Sequence, residues 1–234
     1  MRLLLLSNSV NYGRGFLDHA EDAIRSFLGN GVSRIAFVPY AGVTFSEEMY
    51  TARVRARFEA FGYAIDSVHE VEDPAALVGR SDAIAVGGGN TFRLLQRMVE
   101  TGLLPAIRER VLGGAPYIGW SAGSNVACPT IRTTNDMPIV EPPSFDALNL
   151  VRFQINPHYL DAHPDKHQGE TREQRLLEFT ELNPDVTVVG LREGSMLQID
   201  NGRPRLLGDR TMRVFRGDRE PEEVGADGDL SFLM

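Results

Sequence analysis

The segment Gly119-Trp120-Ser121-Ala122-Gly123 sets a serine among small residues, between an apolar strand-like run over 116–120 and a helical pattern. A nucleophile on a strand-to-helix turn projects from its sheet, and small neighbours permit the sharp bend this requires. The start of a helix also offers unpaired N–H groups, so the Ala122 N–H is a candidate donor to a developing oxyanion. The competing reading is a small-residue turn packed between strand and helix; the pentapeptide alone is short enough to arise that way.

A serine hydroxyl needs a base within hydrogen-bond reach. Of the five histidines, His19 falls in an amphipathic helical pattern and His69 beside an acidic turn, both expected at the surface. His158 ends the strand-like segment Phe153 to Ile155 in Asn156-Pro157-His158, where proline stiffens the exit. Two acids compete to orient it: Asp136, in a long polar loop, and Glu193, just past an apolar strand. Chain order does not choose between them. A metal site built from His158, His163 and His167 with Asp161 and Asp165 is the rival reading, but their spacing matches no zinc pattern, and no metal is assigned.

A second small-residue turn, Gly87-Gly88-Gly89-Asn90, follows the apolar run 83–86. Gly88 or Gly89 can present a backbone N–H to the oxyanion without a side chain intervening. Asn90 is either a substrate contact or the N-cap of the next helix. A phosphate-binding reading is weaker: Phe92 stands where a third glycine is needed, and no Lys-Ser or Lys-Thr pair follows.

The elements that must position these residues are legible as alternating short apolar runs and helical patterns through the first half: 3–6, 16–28, 34–38, 46–61, 83–86, 91–101 and 103–112. This predicts an α/β fold, a three-layer sandwich on a mostly parallel sheet, whose strand carboxyl ends gather ligands. Thr44 with Glu47 resembles a capping box, as does Thr171 with Gln174, and Asp73-Pro74 suits a helix start. The proline- and threonine-rich stretch after Asn125 reads as a long functional loop. Runs at 186–191, 196–199, 205–207 and 212–215 read as strands, the more antiparallel part, with Asn201-Gly202 a turn.

The 234 residues suffice for a substantial core, show no repeat or linker, and are expected to form one domain. The single cysteine, Cys128, suggests a reducing compartment, and the leucine run at 3–6 is too short for a signal segment or membrane span, so a cytoplasmic location is expected. A net charge of −8 disfavours nucleic acid and anionic membrane as partners and favours a small soluble one.

With these segments in view, the chain closely resembles the peptidase E family, the aspartyl dipeptidases of serine peptidase family S51. The likeness rests on residues 4–9, 86–92, 117–123, Cys128 through Val140, Gln154-Ile155-Asn156-Pro157-His158 and Gly169 through Arg175, weakening only after about Gly208. It implies hydrolysis of dipeptides that begin with aspartate, on a fold similar to class I glutamine amidotransferases, with no cofactor. It also implies Ser121 as nucleophile, His158 as base and Glu193 as third member, with Asp136 an active-site residue of undefined role. Ser124 stands where relatives are expected to have alanine, which alters polarity beneath the elbow; residues 159–166 and the C-terminal tail look divergent.

An aspartyl substrate needs a cation, and arginine offers a fork matched to a carboxylate. Arg172 is the first candidate and Arg132 the second, each weighed against being an ordinary surface arginine. Together these readings point to a serine exopeptidase acting on Asp-X dipeptides, as monomer or homodimer. The alternatives are an α/β-hydrolase esterase using Ser121, Asp136 and His158, and a noncatalytic binding module on an amidotransferase-like fold.

Overall fold

A computed structural model describes residues 1–161, 169–217 and 219–234. Its central sheet has seven strands in the order β3-β2-β4-β5-β1-β8-β9. β1 (Arg2–Leu6), β2 (Arg34–Val38), β3 (Ala64–Ser67), β4 (Ala83–Val86) and β5 (Tyr117–Trp120) run parallel, while β8 (Met196–Asp200) and β9 (Arg203–Leu207) extend the sheet antiparallel beyond β1. Leu3, Leu4, Leu5 and Leu6 are fully buried, because this strand lies inside the sheet with both faces covered. Burying each such side chain contributes roughly 1.5–3 kcal/mol.

One face is covered by α1 (Glu21–Leu28) and α2 (Glu47–Phe61), which pack Ile24, Phe27, Tyr50, Val54 and Phe58 around Trp120. The other is covered by α3 (Pro74–Arg80), α4 (Thr91–Glu100) and α5 (Leu103–Leu112), which supply Leu77, Leu94, Leu95 and Ile107. The expected three layers are present. A feature not expected from sequence is a second sheet, β11-β10-β7-β6, in which β6 (Gln154–Tyr159) and β7 (Thr187–Arg192) pair parallel while β10 (Met212–Arg216) joins β7 and β11 (Glu222–Val224) antiparallel. α7 (Arg172–Leu182) packs on this sheet and carries the predicted capping box of Thr171 and Gln174.

Three local expectations need correction. The cap of α2 is Ser46, whose hydroxyl accepts the Met49 N–H, and not Thr44. The first helix does not begin at Phe16: Leu17 takes a left-handed conformation, a short 3-10 turn spans Asp18–Ala20, and the α-helix starts at Glu21. His19 and His69 are half-buried instead of lying at the surface. Burial pushes the His19 imidazole below its ordinary pKa, and Ser67 Oγ lies 2.6 Å from His69 Nδ1.

Candidate active site

Ser121 sits between the end of β5 and the four-residue helix α6 (Ala122–Asn125) with φ 54° and ψ −114°, a conformation that costs a non-glycine residue on the order of 1–3 kcal/mol. The surroundings hold it there. Its N–H donates to Leu6 O at 3.1 Å, and its carbonyl accepts from Ser124 N and Asn125 N at 2.9 and 3.0 Å. Gly123 is required by close approach, since a Cβ there would lie 2.1 Å from Val86 O. The hydroxyl of fully buried Ser124 lies 2.7 Å from Leu6 O and 2.8 Å from Gly119 O, so its extra polarity beneath the turn is satisfied. So short a helix adds little dipole at Ser121.

His158 lies within β6 and not after it. The register against β7 shifts between Pro157 and Tyr159, and His158 occupies this irregularity with φ 52°. A bulge of this kind re-aims a side chain, here out of the strand toward β5. His158 Nε2 lies 3.0 Å from Ser121 Oγ, and His158 Nδ1 lies 2.7 Å from Glu193 Oε1. The long loop secures this strand: Asn125 Nδ2 and Thr133 Oγ1 both donate to Ile155 O, and Asn135 Nδ2 donates to Pro157 O.

Asp136 is placed elsewhere. Its Oδ2 accepts from the N–H of Thr91 at 2.7 Å and from the Thr91 hydroxyl at 2.6 Å, at the start of α4. The His158–Glu193 contact therefore disfavours the esterase arrangement, which needs Asp136 against the imidazole. Asn90 caps α4 through its Oδ1, which accepts Arg93 N–H at 3.1 Å, and its amide donates to Met137 O at 2.8 Å. Gly88 packs so closely that a Cβ would lie 2.9 Å from Ser121 Cβ. Its N–H faces the Tyr50 hydroxyl, whose pKa is raised chiefly by burial, while the N–H groups of Trp120 and Gly88 pull it back down.

Arg172 begins α7, half-buried, with an Nη1 that is buried and lacks a hydrogen-bond partner among the described residues. Burial lowers its pKa, the neighbouring Arg175 charge lowers it further, and Tyr159 and Asp136 oppose the shift. Arg132 is exposed and committed to α7, donating to Asn183 Oδ1 at 3.1 Å with its guanidinium 5.0 Å from the Phe179 ring centre. Among the rival metal ligands, His163, Asp165 and His167 lie outside the described residues, and Asp161 pairs with Arg192. A cavity of about 430 Å³ opens at Ser121, lined by Ser9, Phe16, Phe45, Met49, Tyr50 and Arg53 together with Gly88, Gly89, Ser121 and His158.

Residues 3–207 match the model of peptidase family S51. The chain is 53% identical over 233 residues to a peptidase E of a Nostoc species, covering all of this chain and 96% of that protein. It is 54% identical to a peptidase E of Streptomyces coelicolor, covering all of this chain and 95% of the relative. The chain belongs to peptidase family S51. It is a hydrolase, a serine-type dipeptidase. The solved structure of a peptidase from an acI-B1 Actinobacterium shares the fold, with a TM-score of 0.69 at 19% identity over 97% of this chain and 94% of that one. No helix among the described residues of this S51 peptidase is long and apolar enough to cross a membrane.

Two supporting groups in the S51 peptidase escaped sequence reasoning. Ser7, buried at the end of β1, connects to both β6 and β7 through its hydroxyl. Arg192, directly before Glu193 and buried, holds Asp161 beyond β6 with Nε at 2.8 Å from Oδ2, and Glu223 of β11 with Nη1 at 2.9 Å from Oε2. Its signal was an arginine closing an apolar strand, which buries well only when paired. The partner went unnoticed because Glu222-Glu223 does not read as a strand.

Proposed function

We propose that this peptidase hydrolyses dipeptides with N-terminal aspartate through an acyl-enzyme on Ser121. The observation carrying the reading is the continuous chain from Ser121 Oγ through the His158 imidazole to Glu193, with separations of 3.0 and 2.7 Å. Ser121 Oγ attacks the scissile carbonyl while His158 Nε2 takes its proton, and Glu193 holds the Nδ1 proton and stabilises the imidazolium. The N–H groups of Gly89 and Ala122 receive the oxyanion, the Gly88 N–H being turned toward Tyr50. His158 returns the proton to the leaving amine, which departs with the second residue. Water then adds to the acyl carbonyl, His158 again relaying a proton, and free aspartate leaves Ser121.

Arg172 is the proposed partner of the substrate's aspartyl carboxylate, supported by its unpartnered buried nitrogen. Asp136 serves as a positioning residue: by holding Thr91 it fixes the start of α4 and the glycine turn before it. No step draws on a metal or an organic cofactor. A buried thiol at Cys128, its pKa pushed up to about 12 by burial, fits a reducing cytoplasmic setting, and the enzyme works there as a monomer or homodimer. Cell fractionation and light scattering decide those two points.

The test is release of aspartate from Asp-Leu by wild type and Ser121→Ala, with Leu-Leu and a chelator as controls. Chelator-resistant hydrolysis of Asp-Leu alone, lost in a folded mutant, is the expected result. Failure of wild type on Asp-Leu would overturn the reading.

A further inference from the structure

Among the described residues, those lining the cavity at Ser121 include none from α3, α4 or α5. Its wall is built from α2 and the segment before α1, the layer that packs around Trp120. Asp136 holds the start of α4, whose buried side chains belong to the opposite layer, and Arg172 lies near enough for its charge to sense Asp136. Ser121 thus stands between two differently furnished regions. If the aspartyl residue occupies the Arg172 side, as the functional reading above requires, the cavity is left for the second residue.

That cavity contains an uncommitted cation. Arg53 is exposed, its guanidinium carbon lies 4.3 Å from the centre of the Phe16 ring, and no carboxylate among the described residues pairs with it. Its neighbours on α2 behave differently: Arg55 bonds Glu70 at 2.7 Å, and Arg57 pairs with Asp18 at 2.7 Å and Glu21 at 3.0 Å. In a chain with 32 acidic residues against 24 basic ones, an arginine free of carboxylates beside a catalytic serine is available to a ligand. Met49 and Arg53 are one helical turn apart, so both project from the same face of α2. The Phe16 ring meets the guanidinium carbon, and among the described residues no hydrogen bond or ion pair engages its N–H donors, the groups that grip a carboxylate in bidentate fashion.

We propose that Arg53 binds the free α-carboxylate of the leaving residue, with Phe16, Phe45 and Met49 receiving its apolar side chain. The inference rests on the peptidase reading and extends it to chain length. In a dipeptide the carboxylate lies one residue beyond the scissile bond, about 3.6 Å of chain. In a longer peptide a neutral amide occupies that place, and Arg53 would be covered without a counter-charge. The site therefore selects substrates that end at their second residue and favours an apolar one there.

The test compares Asp-Leu with Asp-Leu amide, which differ only in the terminal charge. Wild type should prefer the free acid by about tenfold or more in kcat/KM, expressed mainly in KM. In Arg53→Gln and Arg53→Ala that ratio should fall to near one, while Arg53→Lys, a point charge without the fork, should retain part of it. Because the ratio is internal to each preparation, it is insensitive to loss of folded protein. A wild-type ratio near one, or a ratio that survives in Arg53→Ala, overturns the inference while leaving the peptidase reading intact. Wild type inactive on both compounds overturns the two together.

Discussion

The hydroxyl of Ser7 accepts the backbone N–H of His158 at 2.9 Å, and in turn donates to the carbonyl of Leu191 at 2.7 Å. One oxygen at the end of β1 thus ties the central sheet both to β6, which carries His158, and to β7, which ends directly before Glu193. Residues in a bulge have lost their ladder partner, so this bond stands in for one that regular pairing with β7 would have supplied.

Ser7→Ala should therefore affect turnover more than binding. Leaving the His158 N–H and the Leu191 carbonyl without this partner costs ~1–3 kcal/mol of stability. Small displacement of the imidazole from Ser121 should lower kcat about 10- to 100-fold with little change in KM. Urea unfolding and steady-state kinetics on Asp-Leu check both; an unchanged kcat would show that β6 holds its bulge without Ser7.

The two acids should separate cleanly. Glu193→Gln keeps the shape but removes the charge proposed to stabilise the imidazolium, and should reduce kcat on the order of 100- to 1000-fold. The Glu193 side chain is 49% exposed, so water compensates part of the loss. Asp136→Asn leaves that pair untouched and loosens the start of α4, so its main effect should be on KM. Near-normal turnover in Glu193→Ala, measured beside Asp136→Asn, would reverse the assignment.

What the sequence disclosed of this arrangement follows from how local each signal is. The leucines of β1, the apolar run before Gly87 and the serine turn are each contiguous in the chain; the first two form β1 and β4, and the turn stands at the carboxyl end of β5. The second sheet was not legible because β6 pairs with β7, and β7 with β10, across long separations, and β11 is the acidic segment Glu222–Val224. His158 stood out in the sequence as the candidate base, but its place inside β6 was not legible, since a bulge depends on the register of a partner strand. Asp136 and Glu193 were indistinguishable along the chain; the difference is a contact across 35 residues for one and a cap on Thr91 for the other.

The Arg192 cluster sets an acid limit on stability. Hydrogen bonding to Arg192 depresses the Glu223 carboxyl from 4.5 to about 2 and lowers Asp161 as well, each against the opposing effect of burial. A depressed folded pKa means that the stabilisation is complete above the unfolded value and disappears as pH falls from about 4.5 toward 2. Wild type should therefore unfold at higher urea than Glu223→Gln at pH 7, and the gap should close on acidification through that window. A gap independent of pH would mean that the ion pair contributes only through packing.

Selectivity for aspartate should depend on Arg172 and not on Arg132. Arg132 already spends its charge on Asn183 and the face of Phe179, and Arg132→Ala should leave the ratio of Asp-Leu to Leu-Leu hydrolysis unchanged. Arg172 retains a buried nitrogen without a partner among the described residues, beside Asp136 and Tyr159. Its loss removes the proposed charge-assisted contact to the substrate and should lower kcat/KM for Asp-Leu about 10- to 100-fold, leaving the slow hydrolysis of an apolar dipeptide as it was. Arg172→Lys discriminates further: a single ammonium supplies charge without the fork, so recovery of half or more of the wild-type ratio would show that charge alone is read, whereas recovery of little would show bidentate recognition. If Arg172→Ala kept the full preference for aspartate, the carboxylate would have to be read elsewhere, and Arg53 in the opposite region would become the residue to test.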